Sequence, residues 1–204
     1  MSKTITRLFD DYVDAQNAVK DLEAAGIPHD DISIVANNAH GEHGHENVND
    51  HGDVTRGVST GAALGGAGGL LAGLGLLAIP GLGPIVAAGW LAATAVGAGI
   101  GAAGGAATGG IVGALKNAGH TDEEANILSE GVRRGGTLVS ARVDDAQAPA
   151  VESILDRNRA VAAEGRGAAY RQAGWTQFNP DAPDYTQDEI ARERATYRTP
   201  TTTL

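Results

Sequence analysis

Thr4-Ile-Thr-Arg-Leu-Phe9 alternates polar and apolar side chains with period two, the pattern of a half-buried strand, and it stops at Asp10-Asp11. Ala15, Ala18, Val19, Leu22 and Ala25 then recur at helical spacing, with Asp11 placed to cap the helix and Gly26 to end it. Ile27-Pro28 leads into a second alternating run, Asp31-Ile-Ser-Ile-Val35. The same order returns far downstream. Thr137 to Val143 predicts a strand ending in Asp144-Asp145, and Ala150, Val151, Ile154 and Leu155 predict a helix. A turn at Asn158 and a short strand near Ala160–Ala163 follow. Ala18-Val19-x-x-Leu22 and Ala150-Val151-x-x-Ile154 hold equivalent places, so the chain carries an internal βαβ repeat.

Two βαβ halves predict an α+β fold, a ferredoxin-like βαβ–βαβ sandwich with a four-stranded antiparallel sheet and two helices on one face. Thr121-Asp-Glu-Glu124 is a capping box that opens a further helix through about Arg134, and Gly135-Gly136 hands the chain to the third strand. The predicted organisation is a first βαβ half over 1–36 and a His/acidic linker over 37–56. A helical hairpin over 57–116 follows, then a helix plus the second βαβ half over 117–165, and an aromatic-containing tail over 166–204.

The insertion between the halves has a pattern of its own. No residue from Gly57 to Leu115 is charged, and 19 of these 59 residues are Gly and 16 are Ala. Gly57, Gly61, Gly65, Gly69 and Gly73 fall at four-residue steps, which Pro80-Gly-Leu-Gly-Pro84 interrupts. The step resumes at Gly89 and Ala93 and continues as Gly97, Gly101, Gly105, Gly109 and Gly113. On a helix, such rows form shallow i±4 grooves along which two backbones approach closely. The pattern predicts two helices joined by a proline-bounded turn, a glycine-zipper hairpin. Its leucine face (Leu64, Leu70, Leu71, Leu74, Leu77) is left for lipid or an apolar partner. Residues 58–78 as a helix reach roughly 30 Å, about one hydrocarbon thickness. Ala and Gly in the second arm add little to insertion, so a buried hairpin inside a soluble oligomer is the competing expectation.

Bulk properties narrow the function. The net charge is −10, which gives no general attraction for nucleic acid. The absence of Cys excludes disulfides, thiolate metal sites and a cysteine nucleophile. The start, MSKTITRLFDD, has no hydrophobic core of a secretion signal, which leads to a cytoplasmic expectation.

Leu8-Phe9-Asp10-Asp11, the turn Ala24-Ala-Gly-Ile-Pro28 with Asp30-Asp-Ile-Ser33 after it, and Gly131-Val-Arg-Arg-Gly-Gly-Thr137-Leu-Val resemble the bacterial general stress protein 17M-like family, also called the heat-induced stress protein YflT-like domain. The Gly-rich hairpin between the halves fits as well, and the resemblance runs over about residues 3–165. It implies a general or envelope stress role and supplies no catalytic residues.

Other candidate chemistry has plainer readings beside it. His40, His43, His45 and His51 lie among Glu42, Glu46, Asp50 and Asp53, a mixture able to bind Zn²⁺, Ni²⁺ or Cu²⁺. The Gly, Asn and Asp around them read more simply as a solvated linker. Arg133-Arg134 before Gly-Gly reads as a helix C-terminus rather than a phosphate grip. Asp10-Asp11 and Asp144-Asp145 read as turn and cap residues. In the tail, Tyr170, Trp175, Phe178, Tyr185 and Tyr197 favour docking on a surface, and Thr186-Gln-Asp-Glu189 opens a charged helix.

The expectation is a non-enzymatic stress-associated protein with no cofactor and no metal. It self-assembles through Gly57, Gly61, Gly65, Gly69, Gly73, Gly97, Gly101, Gly105, Gly109 and Gly113. Its partners are other copies and membrane lipid, and its place is the cytoplasmic face of the inner membrane with the hairpin inserted. The alternative is a soluble cytoplasmic oligomer that binds a small ligand or metal, with the hairpin as its core.

Overall fold

The computed structural model describes residues 2–38, 74–79, 82–100 and 110–197. Five strands form one antiparallel sheet: β1 (Ser2–Phe9), β2 (Ile32–Asn37), β3 (Gly75–Ile79), β4 (Gly83–Gly89) and β5 (Thr137–Asp144), in the order β1-β5-β2-β4-β3. The α+β class is as the sequence predicts. β5 enters between β1 and β2, with Ile5 opposite Ala141 and Ile34 opposite Val139. The helices are α1 (Tyr12–Ala24), α2 (Trp90–Ile100), α3 (Gly110–Asn117), α4 (Asp122–Arg133), α5 (Ala148–Arg157), α6 (Ala163–Gln172) and α7 (Gln187–Tyr197).

Strand alternation sorts the sheet's side chains into two cores. Ile5, Phe9, Ile32, Ile34, Val139 and Ala141 meet Ala18, Val19 and Leu22 of α1 and Val151, Ile154 and Leu155 of α5. On the other face Leu8, Val35 and Leu138 meet Leu91 of α2, Ile111 and Leu115 of α3, and Leu128 and Val132 of α4. The sheet is therefore covered on both sides.

The predicted helical hairpin is corrected at its centre. Gly75–Ile79 and Gly83–Gly89 are strands paired through Ile79 and Gly83, and Leu82 N–H bonds Ile79 C=O at 3.0 Å to close the turn. The expected first arm thus does not run to residue 78 as a helix. The described parts of the second arm, expected over 85–115, are β4, α2 and α3. Pro80 and Pro84 only bound the turn and leave both flanks open to either form, while Ile79, Ile85 and Val86 suit a strand. The free side of β2 supplies the ladder, with Ala36 opposite Val86 and Ile34 opposite Ala88. Residues 57–73 and 101–109 lie outside the described residues. Among the described residues no helix is long and apolar enough to cross a membrane.

The short strand expected near Ala160–Ala163 reduces to one antiparallel bridge, Leu8 with Val161, because the chain turns into α6 at Ala163.

Candidate interaction surface

Of the zipper glycines, Gly97 falls in α2 and Gly113 in α3. Gly57, Gly61, Gly65, Gly69, Gly73, Gly101, Gly105 and Gly109 lie outside the described residues. Gly89, one step of the same row, ends β4 instead of lining a helix ridge. What the structure does describe is how the charge-free run is held. Ile85, Leu91, Ile111 and Leu115 are fully buried on the second face of the sheet, while Leu76 on the outer strand β3 is 53% exposed.

Among the described residues, a buried polar cluster forms where the C-terminal segment docks. The capping box at the start of α4 is present: Glu124 N–H reaches Thr121 Oγ1 at 3.2 Å and Thr121 N–H reaches Glu124 Oε2 at 2.9 Å. That fixed start sets the phase of the helix, so its last turn carries Glu130 inward with a side-chain exposure of 0%. Arg133 Nη1 donates to Glu130 Oε2 at 3.2 Å and Arg134 Nε to Oε1 at 2.7 Å. Arg134 also donates from Nη1 to Glu193 of α7 at 2.9 Å and lies 4.3 Å from the Tyr170 ring centroid. Arg133 lies 4.8 Å from the Tyr185 ring.

Electrostatics follow the packing. Burial works against the Arg134 charge, but the Glu130 hydrogen bond and the charges of Glu130 and Glu193 outweigh it, so its pKa stands above the ordinary value. Burial also pushes the Tyr170 phenol up, against the neighbouring Arg166 and Arg134 charges. Arg166 repeats the motif: its Nη2 donates to both Asp10 carboxylate oxygens, at 2.8 and 2.7 Å, and its guanidinium lies 3.8 Å from the Tyr197 ring.

Arg133-Arg134 ends α4 as the sequence predicts, with Arg134 at the C-cap, and both guanidiniums also engage carboxylates and rings of the same chain. Asp10 is an ion-pair partner as well as a turn residue. The tail docks on its own domain: Phe178 joins the second core, and Ile190 of α7 is fully buried. Arg194 Nη2 donates to Gly135 C=O at 2.7 Å. Sequence reasoning missed Glu130, Arg166 and Glu193. The i, i+3 and i, i+4 spacing of Glu130 to Arg133 and Arg134 was the available signal.

His40, His43, His45 and His51 lie outside the described residues, and among the described residues no group of three His, Cys, Asp or Glu is placed to hold a metal ion. His120, at the turn into α4, hydrogen-bonds Thr6 Oγ1 through Nε2 at 2.8 Å, and Thr6 bonds Ser140 Oγ at 2.9 Å. Burial holds its pKa below the ordinary imidazole value, with the Glu124 charge opposing.

Strands β1, β2 and β3 with α1 coincide with the stretch that a known family covers. Residues 4–79 match the family model of the heat induced stress protein YflT domain. Over that stretch the chain matches the YflT family. The YflT match ends with β3, so β4, β5 and the Gly131–Thr137 turn fall beyond it, and it is narrower than the 3–165 read from the sequence. No curated protein and no solved structure matches the chain.

Proposed function

We propose that this chain is a non-enzymatic, stress-associated protein that self-assembles at a membrane through its charge-free run. The YflT match supplies the stress context. The observation that carries the rest is the anchoring of the run. β3, the last strand of the sheet among the described residues, follows Gly57–Gly73, and α2 and α3 flank Gly101–Gly109 while seated in the second core. Both glycine rows are thereby tethered to one sheet, which lowers the ordering entropy lost when rows from several copies pack together. The exposed Leu76 on the edge strand offers an apolar contact beside them.

The finer reading of the fold is a ferredoxin-like sandwich enlarged by the β3–β4 hairpin. Supporting it, Val161, β1, β5 and β2 stand side by side in that order, and α1 and α5 share one face.

One observation favours a soluble assembly instead: Ile85, Leu91, Ile111 and Leu115 are buried in the domain, not turned toward lipid. Fractionation separates the two. A membrane assembly leaves the protein in the pellet after a carbonate wash, and release into the supernatant as an oligomer supports the soluble form. The double variant Gly65→Leu/Gly69→Leu blocks close helix approach, so it converts the assembly to smaller species by light scattering without reducing partition. An unchanged size removes the zipper from either reading.

A further inference from the structure

Among the described residues, β1 is a sheet edge along most of its length. Leu8 exchanges backbone hydrogen bonds with Val161 on the outer side, Leu8 N–H to Val161 C=O at 3.4 Å and Val161 N–H to Leu8 C=O at 2.7 Å. The ladder then stops, since α6 starts at Ala163. In an antiparallel strand the N–H and C=O of one residue point the same way, and every second residue repeats that direction. Thr6 and Thr4 therefore turn theirs outward, as Leu8 does. Among the described residues no backbone group meets them there, and the Thr6 carbonyl accepts only from Arg7 Nη1, at 3.2 Å.

Along this edge runs a cleft of about 630 Å³, floored by five consecutive β1 residues, Lys3 to Arg7. It is the slot that a strand following α5 would fill, and Val161 fills one position of it. One wall belongs to α5 and is neutralised: Lys3 pairs with Glu152 at 3.2 Å and Arg7 with Asp156 at 3.7 Å. The opposite wall presents Glu124 and Glu164, with His120 between the helix turn and the strand. That wall is acidic, as is the chain with its net charge of −10. A strand added here turns every second side chain toward it.

We propose that the cleft binds an extended basic peptide segment of a partner polypeptide by strand addition to β1, with Lys or Arg side chains directed at Glu124 and Glu164. A second copy of β1 fits less well, because an antiparallel pair centred on Ile5 sets Lys3 of one strand opposite Arg7 of the other.

The test uses the full chain and a fluorescein-labelled Thr-Lys-Thr-Lys-Thr-Lys-Thr peptide, read by anisotropy, with hydrogen exchange followed at β1. The expected result is saturable binding and slowed exchange at Thr4 and Thr6. Replacing each peptide Lys by Glu weakens binding at least tenfold. Thr4→Pro removes one outward N–H that no strand of the sheet uses, so it abolishes binding while the melting curve is retained. Should Thr4→Pro fail to fold, Glu164→Lys decides, with an expected tenfold loss at unchanged stability. Equal affinity for the Lys and Glu peptides, or full affinity in Glu164→Lys, overturns the proposal. So does protection of Thr4 and Thr6 before peptide is added, or a concentration-dependent mass increase that Thr4→Pro removes, since either puts another occupant in the cleft.

Discussion

At the scale of the residue, His120 shows how one polar side chain joins distant parts of the chain. It bonds Thr6 of β1 at 2.8 Å while standing at the turn before α4, and Thr6 reaches Ser140 of β5 at 2.9 Å. Desolvation disfavours the imidazolium, and nearby Arg7 adds to this, while Glu124 opposes both. The folded pKa thus lies below the unfolded value of about 6.5, and the unfolded chain takes up the proton first as pH falls. The stability linked to His120 is full above about pH 6.5 and declines below it toward the folded pKa. Glu124, whose pKa is lowered chiefly by the Thr121 backbone hydrogen bond, loses its contribution only at lower pH. The urea midpoint is therefore expected to drop more between pH 7 and pH 5 in the wild type than in His120→Gln. Parallel slopes for the two would show that the imidazole is solvated. Glu130 illustrates the limit of sequence reading at this scale. Its spacing to Arg133 and Arg134 is visible in the chain, but its complete burial is not, nor is the seating of those two arginines against Tyr185 and Tyr170 of the tail.

At the scale of the element, the strands and helices of the two βαβ halves follow from local pattern, and the β3–β4 hairpin does not. Gly89 makes the difference concrete. In the row of four-residue steps it looks like a helix ridge, yet it ends β4 opposite Ser33 with φ +87°. A Cβ there would collide with the Ile32 carbonyl and stand 2.8 Å from Ser33 Cα. The close approach lets Ser33 Oγ donate to Ala88 C=O at 2.8 Å, and Trp90 then opens α2 with its indole N–H on Asp31 C=O at 3.3 Å. Gly89→Ala is expected to lower the unfolding free energy by about 1–3 kcal/mol in urea titration, with no change in assembly size. A ridge glycine predicts the reverse, an altered size at similar stability. The tail helix α7 was legible through its capping box, which forms with Thr186 N–H on Glu189 Oε2 at 2.8 Å. Its seat was not legible, because Gly135 accommodates Ile190 only once α4 and β5 are assembled around it.

At the scale of the whole molecule, the two ends of the insertion are held together. β5, which follows the charge-free run, is hydrogen-bonded on one side to β1 and on the other to β2, which both precede it. Whatever residues 57–73 contact, the folded halves lie on the same side of it. Reporter fusions at residue 45 and at the C-terminus are expected to give the same sidedness in membrane vesicles, and protease protection at both sites to agree. Opposite sides would require β5 to leave the sheet.

The chain by itself determined what local physics decides. Period-two alternation made β1, β2 and β5, i, i+3 and i, i+4 apolar spacing made α1 and α5, and Thr-x-x-Glu boxes opened α4 and α7. The tertiary structure alone decided the course of Gly75–Ile79 and Gly83–Gly89 and the use of the arginines. A run of Gly, Ala and Val has weak and conflicting local preferences, so the unpaired edge of β2 outweighed the four-residue glycine step and drew Gly83–Gly89 into the sheet. Arg134 and Arg166 found Tyr170, Tyr197, Glu193 and Asp10 because burial makes an unpaired guanidinium costly, and those partners become neighbours only when the chain has folded.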